Sequence, residues 1–343
     1  MVTTIRRRRR GRLHAAHGRT DVTPSPCQRP VRTPRRGSEN RDMTSPRSSV
    51  SGDIVVGVDG SASSEHAVMW AADEARIQHR GLTLAHASRT VSTQDLAWLS
   101  AAGVHPHQVN EEIRVEAERV IERAHSLAQA RSPETAIETI VLPQDARSLL
   151  LDLSSTAAMT VVGTRGHGRV AGLLLGSVSG ALVRHAHRPV VVARPAPASA
   201  RGVLIAADGS EDSLGLAEHA CREASLHGLP LTVVHCLWDG LVGQARWTMV
   251  ADTDPAAEEA RARVGQPVAA MREKFPDVDM QVLVTRGAID ACLVDLSSRY
   301  DLLVIGRPAR PLLVRLTLSS LTAPVVEHAH CPVLVVPSEV SSP

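Results

Sequence analysis

The sequence predicts an α/β fold made of two tandem, doubly wound domains. Short apolar runs that suit buried strands alternate with stretches whose apolar residues recur at helical spacing. Strands that alternate with helices form parallel sheets covered by helices on both faces. The same series of motifs occurs twice, and 343 residues are enough for two domains that each bury a core.

In the first half, turn residues separate the predicted elements. The predicted strands lie at 54–58, 82–86, 137–142, 159–162 and 190–193. The predicted helices lie at 63–79, 109–130, 147–155 and 177–186. Residues 88–108 show no clear period and predict either a lid over a site or a locally disordered connection.

The second half repeats the first. The stretch IVVGVDGS at 54–61 returns as LIAADGS at 204–210, which sets Asp59 against Asp208. Two longer matches, 149–166 with 292–309 and 185–195 with 328–338, share an offset of 143 without a gap. We therefore predict a first domain at 51–195, a linker at 196–201 and a second domain at 202–338.

Residues 1–50 differ in composition from the rest. They hold thirteen Arg against three acidic residues, a local charge of +10 that leaves −8 for the remainder of the chain. This composition predicts a disordered basic tail. Three interpretations compete: an arm for nucleic acid or a membrane surface, a solvated tail without a role, and translation that begins at Met43. The third is favoured over the nucleic-acid arm, because no hydrophobic signal-peptide core precedes Met43.

Composition narrows the class of protein. Charged residues interrupt every apolar stretch well before the roughly 20 residues of a membrane-spanning helix, so we expect a soluble, cytoplasmic protein without a membrane partner. The five cysteines are Cys27, Cys221, Cys236, Cys292 and Cys331, and three of them lie in apolar patterns. They are interpreted as small buried hydrophobic residues in a reducing compartment.

A glycine-rich basic loop between the fourth strand and the following helix is the predicted functional centre. The stretch at 159–179 is MTVVGTRGHGRVAGLLLGSVS. Such a loop lies at the carboxyl end of a parallel strand, where glycines expose backbone N–H groups and the next helix offers its first amides to an anion. Arg165, His167 and Arg169 add positive charge, so the stretch predicts an anion site.

The loop resembles that of the universal stress protein family, and in particular of its tandem two-domain members. Gly163, Gly166, Gly176 and Ser177 fit the family pattern of glycine, two residues, glycine, nine residues, glycine and then Ser or Thr. The Asp-Gly-Ser after the first strand and the closing His-Ala-x-x-Pro-Val fit as well, and the likeness covers about 51–338. The resemblance implies Rossmann-like domains, each a five-stranded parallel sheet of order 3-2-1-4-5, and adenine nucleotide binding in some members.

Carried over residue by residue, the resemblance implies a site for ATP, with or without Mg²⁺. Gly57 would allow close approach, with Val58 beside it in the site, Asp59 would contact the adenosine, and Ala85 would offer its backbone to the adenine edge. Ribose and phosphates would lie against Gly163, Thr164, Arg165, Gly166, His167, Gly168 and Arg169, and the terminal phosphates against Gly176, Ser177, Val178 and Ser179. The resemblance also implies pairing of the two domains through the last strand, with a homodimer as a second level of pairing at an exposed edge such as 190–193.

The second copy lacks most of these glycines. At the offset of 143, Gly306 matches Gly163, but Ala309, Pro311 and Ser319 stand in place of Gly166, Gly168 and Gly176. Pro308 and Pro311 also remove two backbone donors from the loop. We therefore predict that the second domain binds ATP weakly or not at all and serves mainly as a packing partner.

Other motifs give weaker signals. GHGRVA at 166–171 matches a dinucleotide-binding fingerprint but follows the fourth strand instead of the first, and the sequence has no Walker lysine motif. His185, His187, His328, His330 and Cys331 suggest a metal, but Arg188 stands where a second cysteine would be expected, so helix capping is favoured and no metal site is predicted. Asp59 has the alternative role of capping the helix that follows it.

The sequence therefore favours an ATP-binding regulatory or sensor protein of the stress response that is not an enzyme. It shows no Ser-His-Asp constellation, no acidic pair suited to catalytic magnesium and no lysine near the loop. The alternatives are a slow ATP hydrolase and a nucleotide-free interaction module in which the loop only packs.

Overall fold

The computed structural model describes residues 50–89, 91, 94, 98, 100–166, 175–237, 247–251, 253–307 and 322–337. The predicted basic tail, apart from Val50, lies outside the described residues, and so do Pro308, Ala309, Pro311 and Ser319 of the second loop. The described residues from Val50 to Pro337 belong to one compact unit.

The first half alternates strands and helices in the predicted order. The strands are β1 (Ile54–Gly57), β2 (Leu82–Ala87), β3 (Ile137–Leu142), β4 (Met159–Gly163) and β5 (Val190–Ala193). The helices are α1 (Ala62–Ile77), α2 (Pro106–Arg131), α3 (Ala146–Leu153) and α4 (Ser177–His185). Each predicted element is present, and its ends differ from the prediction by three residues or fewer.

The second half repeats this arrangement and adds one strand. The strands are β6 (Val203–Ala206), β7 (Leu231–Leu237), β8 (Trp247–Met249), β9 (Met280–Gly287), β10 (Leu302–Arg307) and β11 (Val333–Pro337). The helices are α5 (Glu211–His227), α6 (Pro255–Lys274), α7 (Ile289–Ser297) and α8 (Thr322–His328). The added strand β8 runs antiparallel to β9 and covers what would otherwise be an open sheet edge. Trp247 anchors it by donating its indole N–H to Asp295 at 2.9 Å.

The strands form one continuous sheet in the order β3-β2-β1-β4-β5-β11-β10-β6-β7-β9-β8. Within each half the five parallel strands follow the order 3-2-1-4-5, which confirms the predicted fold class. In the first half β1 lies between β2 and β4, so the direction of winding reverses at β1 and β4. A crevice at the carboxyl ends of the strands is expected at such a reversal.

The two halves meet through their last strands. β5 and β11 pair antiparallel, with Val190 opposite Val335 and Val192 opposite Val333. The strand edge at 190–193, at which pairing with a second chain was expected, is therefore paired with β11 of the same chain. A homodimer cannot form by strand addition at that edge, because its backbone groups are already paired.

Two arginines reach across this junction to helix carbonyls. Arg194, the residue after β5, donates to the carbonyls of Val326 and Ala329 at the end of α8. In the opposite direction, Arg307 Nη1 lies 3.5 Å from the carbonyl of Val183 in α4. The last carbonyls of a helix carry partial negative charge, so a guanidinium stabilises them. Burial lowers the pKa of Arg194.

An apolar layer covers each face of the sheet. Helices α1, α2, α5 and α6 contribute to one layer, and α3, α4, α7 and α8 contribute to the other. Both layers contain residues of both halves, so the core continues across the junction. Cys221, Cys292 and Cys331 are fully buried, as predicted, and burial raises the pKa of each thiol to about 12. Cys236 is only half-buried, and Cys27 lies outside the described residues. None of the described helices combines the length and apolar character that a membrane-spanning segment requires.

Candidate functional site

A cavity of about 530 Å³ opens where the carboxyl ends of β1 and β4 lie side by side. This volume suits a small-molecule ligand. Eleven of the predicted site residues line the cavity: Gly57, Val58, Asp59, Ala85, Gly163, Arg165, Gly166, Gly176, Ser177, Val178 and Ser179. Thr164 is not among the lining residues, and His167, Gly168 and Arg169 lie outside the described residues.

The amino end of α4 presents backbone donors to this cavity. Gly176 is the N-cap residue, has an extended backbone, and has no side chain with which to cap the helix. The first intrahelical hydrogen bond runs from Gly180 N to Gly176 O at 2.9 Å. The N–H groups of residues 177–179 precede that bond, and no side chain in the described part of the chain caps them. Such a helix end is suited to an anion.

Thr164 and Ser179 fix the position of this helix end. Gly176 N donates to Thr164 O at 2.8 Å, and Ser179 Oγ donates to Gly163 O at 2.7 Å. In the second half, Thr322 Oγ1 lies 3.5 Å from Gly306 O, at the position that corresponds to Ser179. The Ser179 hydroxyl and Thr164 therefore hold α4 against the end of β4. What Ser179 offers a ligand is its backbone N–H.

The glycines at the strand ends serve close packing of the chain itself. A Cβ on Gly57 would lie 2.7 Å from Leu150 Cδ1, and one on Gly163 would lie 2.7 Å from the carbonyl carbon of Ser63. Contacts this short do not occur for real side chains. Gly57 therefore allows α3 to approach β1, and Gly163 allows α1 to approach β4. The close approach that the sequence attributed to a ligand at Gly57 is made by Leu150.

Asp59 combines a structural role with a place in the cavity. Its Oδ1 accepts hydrogen bonds from Ser61 N at 3.0 Å and Ser61 Oγ at 2.6 Å, while Ser61 itself is the N-cap residue of α1. The second half repeats the turn, because Asp208 accepts from Ser210 N at 2.9 Å. The alternative role of Asp59 as the helix cap is taken by Ser61, which Asp59 supports. Its Oδ2 lies 2.2 Å from the position of a Cβ on Gly166, so the loop glycine leaves room for the carboxylate.

The backbone that faces the cavity from β2 belongs to Ala87 instead of Ala85. Ala85 O accepts from Val58 N at 2.9 Å, whereas Ser88 N donates to Leu142 O on the other side at 2.9 Å. Alternate residues of a strand direct their backbone groups to opposite neighbours, so Ala85 and Ala87 both face β1. The pairing of β1 with β2 ends at Gly57 and Ala85. Ala87 is therefore directed past the paired part of β1, and it lines the cavity.

The described lining carries two positive and two negative side chains. The positive side chains are Arg165 and Arg184, which are exposed, and the negative side chains are Asp59 and Glu327. Glu327 comes from α8 of the second half, so the cavity borders both halves. Sequence reasoning missed Arg184 and Glu327. The position of Arg184 two helical turns after Ser177 could have indicated the first, but only the tertiary structure brings the second to the site.

Two of the histidines considered as metal ligands, His187 and His330, make corresponding backbone hydrogen bonds in the two halves. His187 N donates to Ser154 Oγ at 3.2 Å, and His330 N donates to Ser297 Oγ at 2.8 Å. Each pair lies at the end of corresponding helices, where it joins the two helices of its own half. Within the described residues, His185, His187, His328, His330 and Cys331 do not belong to a group of side chains close enough to share one ion.

Comparison with known proteins identifies related chains. The sequence profile of the Universal stress protein family matches residues 52–194 and again residues 200–337. A universal stress protein of Mycolicibacterium smegmatis is 32% identical over 297 residues, which cover 82% of this chain and 96% of the relative. A universal stress protein of Mycobacterium tuberculosis strain H37Rv is 32% identical over 299 residues, which cover 82% of this chain and 94% of the relative.

The fold is also similar to a solved structure. A universal stress protein from Archaeoglobus fulgidus superimposes with a TM-score of 0.62 at 18% sequence identity. The match covers 84% of this chain and 99% of that chain. At this level of identity the likeness supports the arrangement of the two halves and carries no statement about a ligand.

Proposed function

The chain belongs to the universal stress protein family, and we propose that it is a cytoplasmic, ATP-binding regulatory or sensor protein whose first domain holds the nucleotide. The observation that carries this proposal is the glycine-capped amino end of α4 at the mouth of the cavity. Phosphate oxygens accept several hydrogen bonds at once, and a helix amino end supplies clustered donors together with favourable partial charge.

The phosphates would occupy the end of the cavity formed by α4. The backbone N–H groups of Ser177, Val178 and Ser179 would bind the terminal phosphates, and the loop at 163–169 would enclose the rest. Arg165 and Arg184 line the same cavity and would offset the negative charge of the nucleotide. Any Mg²⁺ would be carried by the phosphates themselves, as Mg²⁺ commonly is at nucleotide sites.

The adenosine would occupy the end of the cavity formed by β1 and β2. Asp59 would contact the ribose hydroxyls there, while its Oδ1 holds the turn at Ser61. The backbone of Ala87 would take the role at the adenine edge that the sequence assigned to Ala85. Ala85, Leu149 and Leu150 provide the apolar wall that a base requires.

The second domain would bind ATP weakly or not at all and would act mainly as a packing partner. Support comes from the sequence, which places Pro308, Ala309, Pro311 and Ser319 in its loop. Prolines cannot donate a backbone hydrogen bond and also restrict the conformations of the loop. The proposed stoichiometry is therefore one nucleotide per chain. The predicted homodimer would use a surface other than β5 and β11, which pair with each other.

The experiment that tests this function is mass spectrometry of small molecules released from the purified full chain. An adenine nucleotide at close to one equivalent supports the proposal. Protein that carries no nucleotide and has no adenylate affinity would instead indicate an interaction module. Turnover of bound ATP above background that is lost on Gly166→Pro would indicate the rival function, a slow hydrolase.

A further inference from the structure

Two corresponding glutamates meet in the buried layer between α1 and α5. Glu74 of α1 is 1% exposed and Glu223 of α5 is 5% exposed. The alignment that sets Asp59 against Asp208, an offset of 149, also sets Glu74 against Glu223. The pairing of the two halves therefore brings together the same side chain from each copy.

His227 completes the group on the solvent side. Its Nε2 lies 2.9 Å from Glu74 Oε2 and 3.9 Å from Glu223 Oε2, and its side chain is 26% exposed. One potential ligand atom from each of the three side chains lies within 4.8 Å of the others. Gln78, which corresponds to His227 in the first copy, donates to the other oxygen of Glu74. The three residues Glu74, Glu223 and His227 are called the interdomain triad below.

One oxygen of the interdomain triad has no donor. Glu223 Oε2 is buried, and no N–H or O–H group in the described part of the chain lies within hydrogen-bond distance of it. Desolvation and mutual repulsion of two buried carboxylates must be offset by a positive charge, and the 2.9 Å contact of His227 reaches Glu74 but leaves Glu223 Oε2 without a partner among the described residues.

We propose that the interdomain triad binds a divalent transition-metal cation of the Zn²⁺ or Mn²⁺ class. Two carboxylates and one imidazole are a ligand set that such ions accept, and their two negative charges match one divalent ion. Ligand atoms at about 2.0–2.1 Å from a tetrahedral metal lie about 3.3 Å apart. The observed separations of 2.9 and 3.9 Å lie on either side of that value.

The cation would join the two domains. Glu74 belongs to the first half and Glu223 and His227 to the second, so an ion held by all three ties α1 to α5. The exposed side of His227 gives the ion a route from solvent and leaves a position for water. The site is separate from the histidines at the ends of α4 and α8 for which metal binding was considered from the sequence. The sequence alone does not predict this site, because Glu74 lies 149 residues before Glu223.

The test is titration of the tag-free full chain, stripped with chelator and kept without nucleotide, with Co²⁺ alone and then with Zn²⁺ alone. Calorimetry gives the number of ions bound, and the visible spectrum of Co²⁺ reports its coordination by oxygen and nitrogen instead of thiolate. We expect one saturable equivalent that depends on the interdomain triad. We also expect a metal-dependent rise in the midpoint of thermal unfolding, because the ion binds only the folded arrangement.

Three variants make this result decisive. Glu223→Gln keeps the size of the side chain, can donate to Glu74 and so preserves the fold, and should weaken binding of the triad ion at least tenfold. His227→Gln introduces the residue that the first copy already carries at the corresponding position 78, and should have the same effect. Glu218→Gln, on the same helix but paired with Lys274 at the surface, should bind the ion as wild type does.

Two outcomes would overturn the proposal. Wild-type protein that takes up no saturable ion would show that Glu74 and Glu223 share a proton instead. Ion binding by Glu223→Gln with wild-type affinity would place the ion elsewhere. Neither outcome depends on ATP, so failure of this site and failure of the proposed nucleotide site are distinguishable.

Discussion

The first turn of α1 lies directly against Gly163, where the carbonyl carbon of Ser63 is 2.7 Å from the point at which a Cβ of residue 163 would stand. For the corresponding glycine of the second half, Gly306, the nearest atom among the described residues to such a Cβ is Leu216 Cδ2, at 3.5 Å. The packing around the two corresponding positions therefore differs in whether it requires a glycine. Backbone packing beside the cavity requires a glycine at 163, whereas the described residues around Gly306 leave room for a methyl group.

Gly163→Ala should destabilise the protein and weaken ATP binding. Backbone atoms of α1 must move to admit the methyl group, and overpacking of this kind costs about 1–3 kcal/mol. Gly306→Ala is the matched control and should change the free energy of unfolding by less than about 0.5 kcal/mol. Urea unfolding of both variants measures the difference. Equal losses would contradict the assigned packing.

Ser177→Pro should reduce ATP affinity without reducing stability. Proline is favoured at the first position of a helix, and Gly176 before it has φ −69° and ψ 159°, a conformation that a following proline accepts. The substitution removes one N–H. Loss of a hydrogen bond to a charged phosphate costs about 1.5–3 kcal/mol, which raises the dissociation constant roughly 10- to 100-fold.

The control for this variant is Ser177→Ala, which removes the hydroxyl and keeps the N–H. Isothermal calorimetry with ATP should show that it binds close to the wild-type level. If the proline and alanine variants lose affinity equally, the hydroxyl and not the helix amide is the phosphate contact.

Asp59→Ala and Asp208→Ala separate the turn from the ligand. Both aspartates accept from the serine two residues later, so each variant should lose about 1 kcal/mol of stability. Only Asp59→Ala should weaken ATP binding, by at least about tenfold if one ribose hydrogen bond to a charged group is lost. An ATP affinity that is unchanged in Asp59→Ala would limit Asp59 to a structural role.

Arg194→Met should weaken the junction of the two halves. It leaves the carbonyls of Val326 and Ala329 without their donor, a cost of about 1–3 kcal/mol for a buried group. Arg307→Met, which removes the longer contact of 3.5 Å with Val183, should cost less. Thermal unfolding measured by calorimetry checks the order, and a reversed order would contradict the capping role of Arg194.

The architecture could be predicted from the sequence because its signals are local or repeated. The apolar runs and helical periods located β1 to β5 and α1 to α4 of the first half, and the repeat extended the pattern to the second. The short strand β8 could not be predicted in this way. It has three residues, and only pairing with β9 and the bond from Trp247 to Asp295 define it.

The candidate site was predictable to the extent that it is continuous in sequence. The glycine spacing located Gly163, Gly166 and Gly176 together with the start of α4. Ala87 was missed because the end of a strand cannot be set to within two residues without its hydrogen bonds. Glu327 and the interdomain triad depend on how the two copies face each other, which periodicity does not encode.

The central claim is that the first domain alone holds an adenine nucleotide, and calorimetric titration of the nucleotide-stripped full chain with ATP tests it most directly. The expected result is one site per chain that is weakened by Ser177→Pro and unchanged by Asp208→Ala. Two sites per chain, or no binding at all, would contradict it.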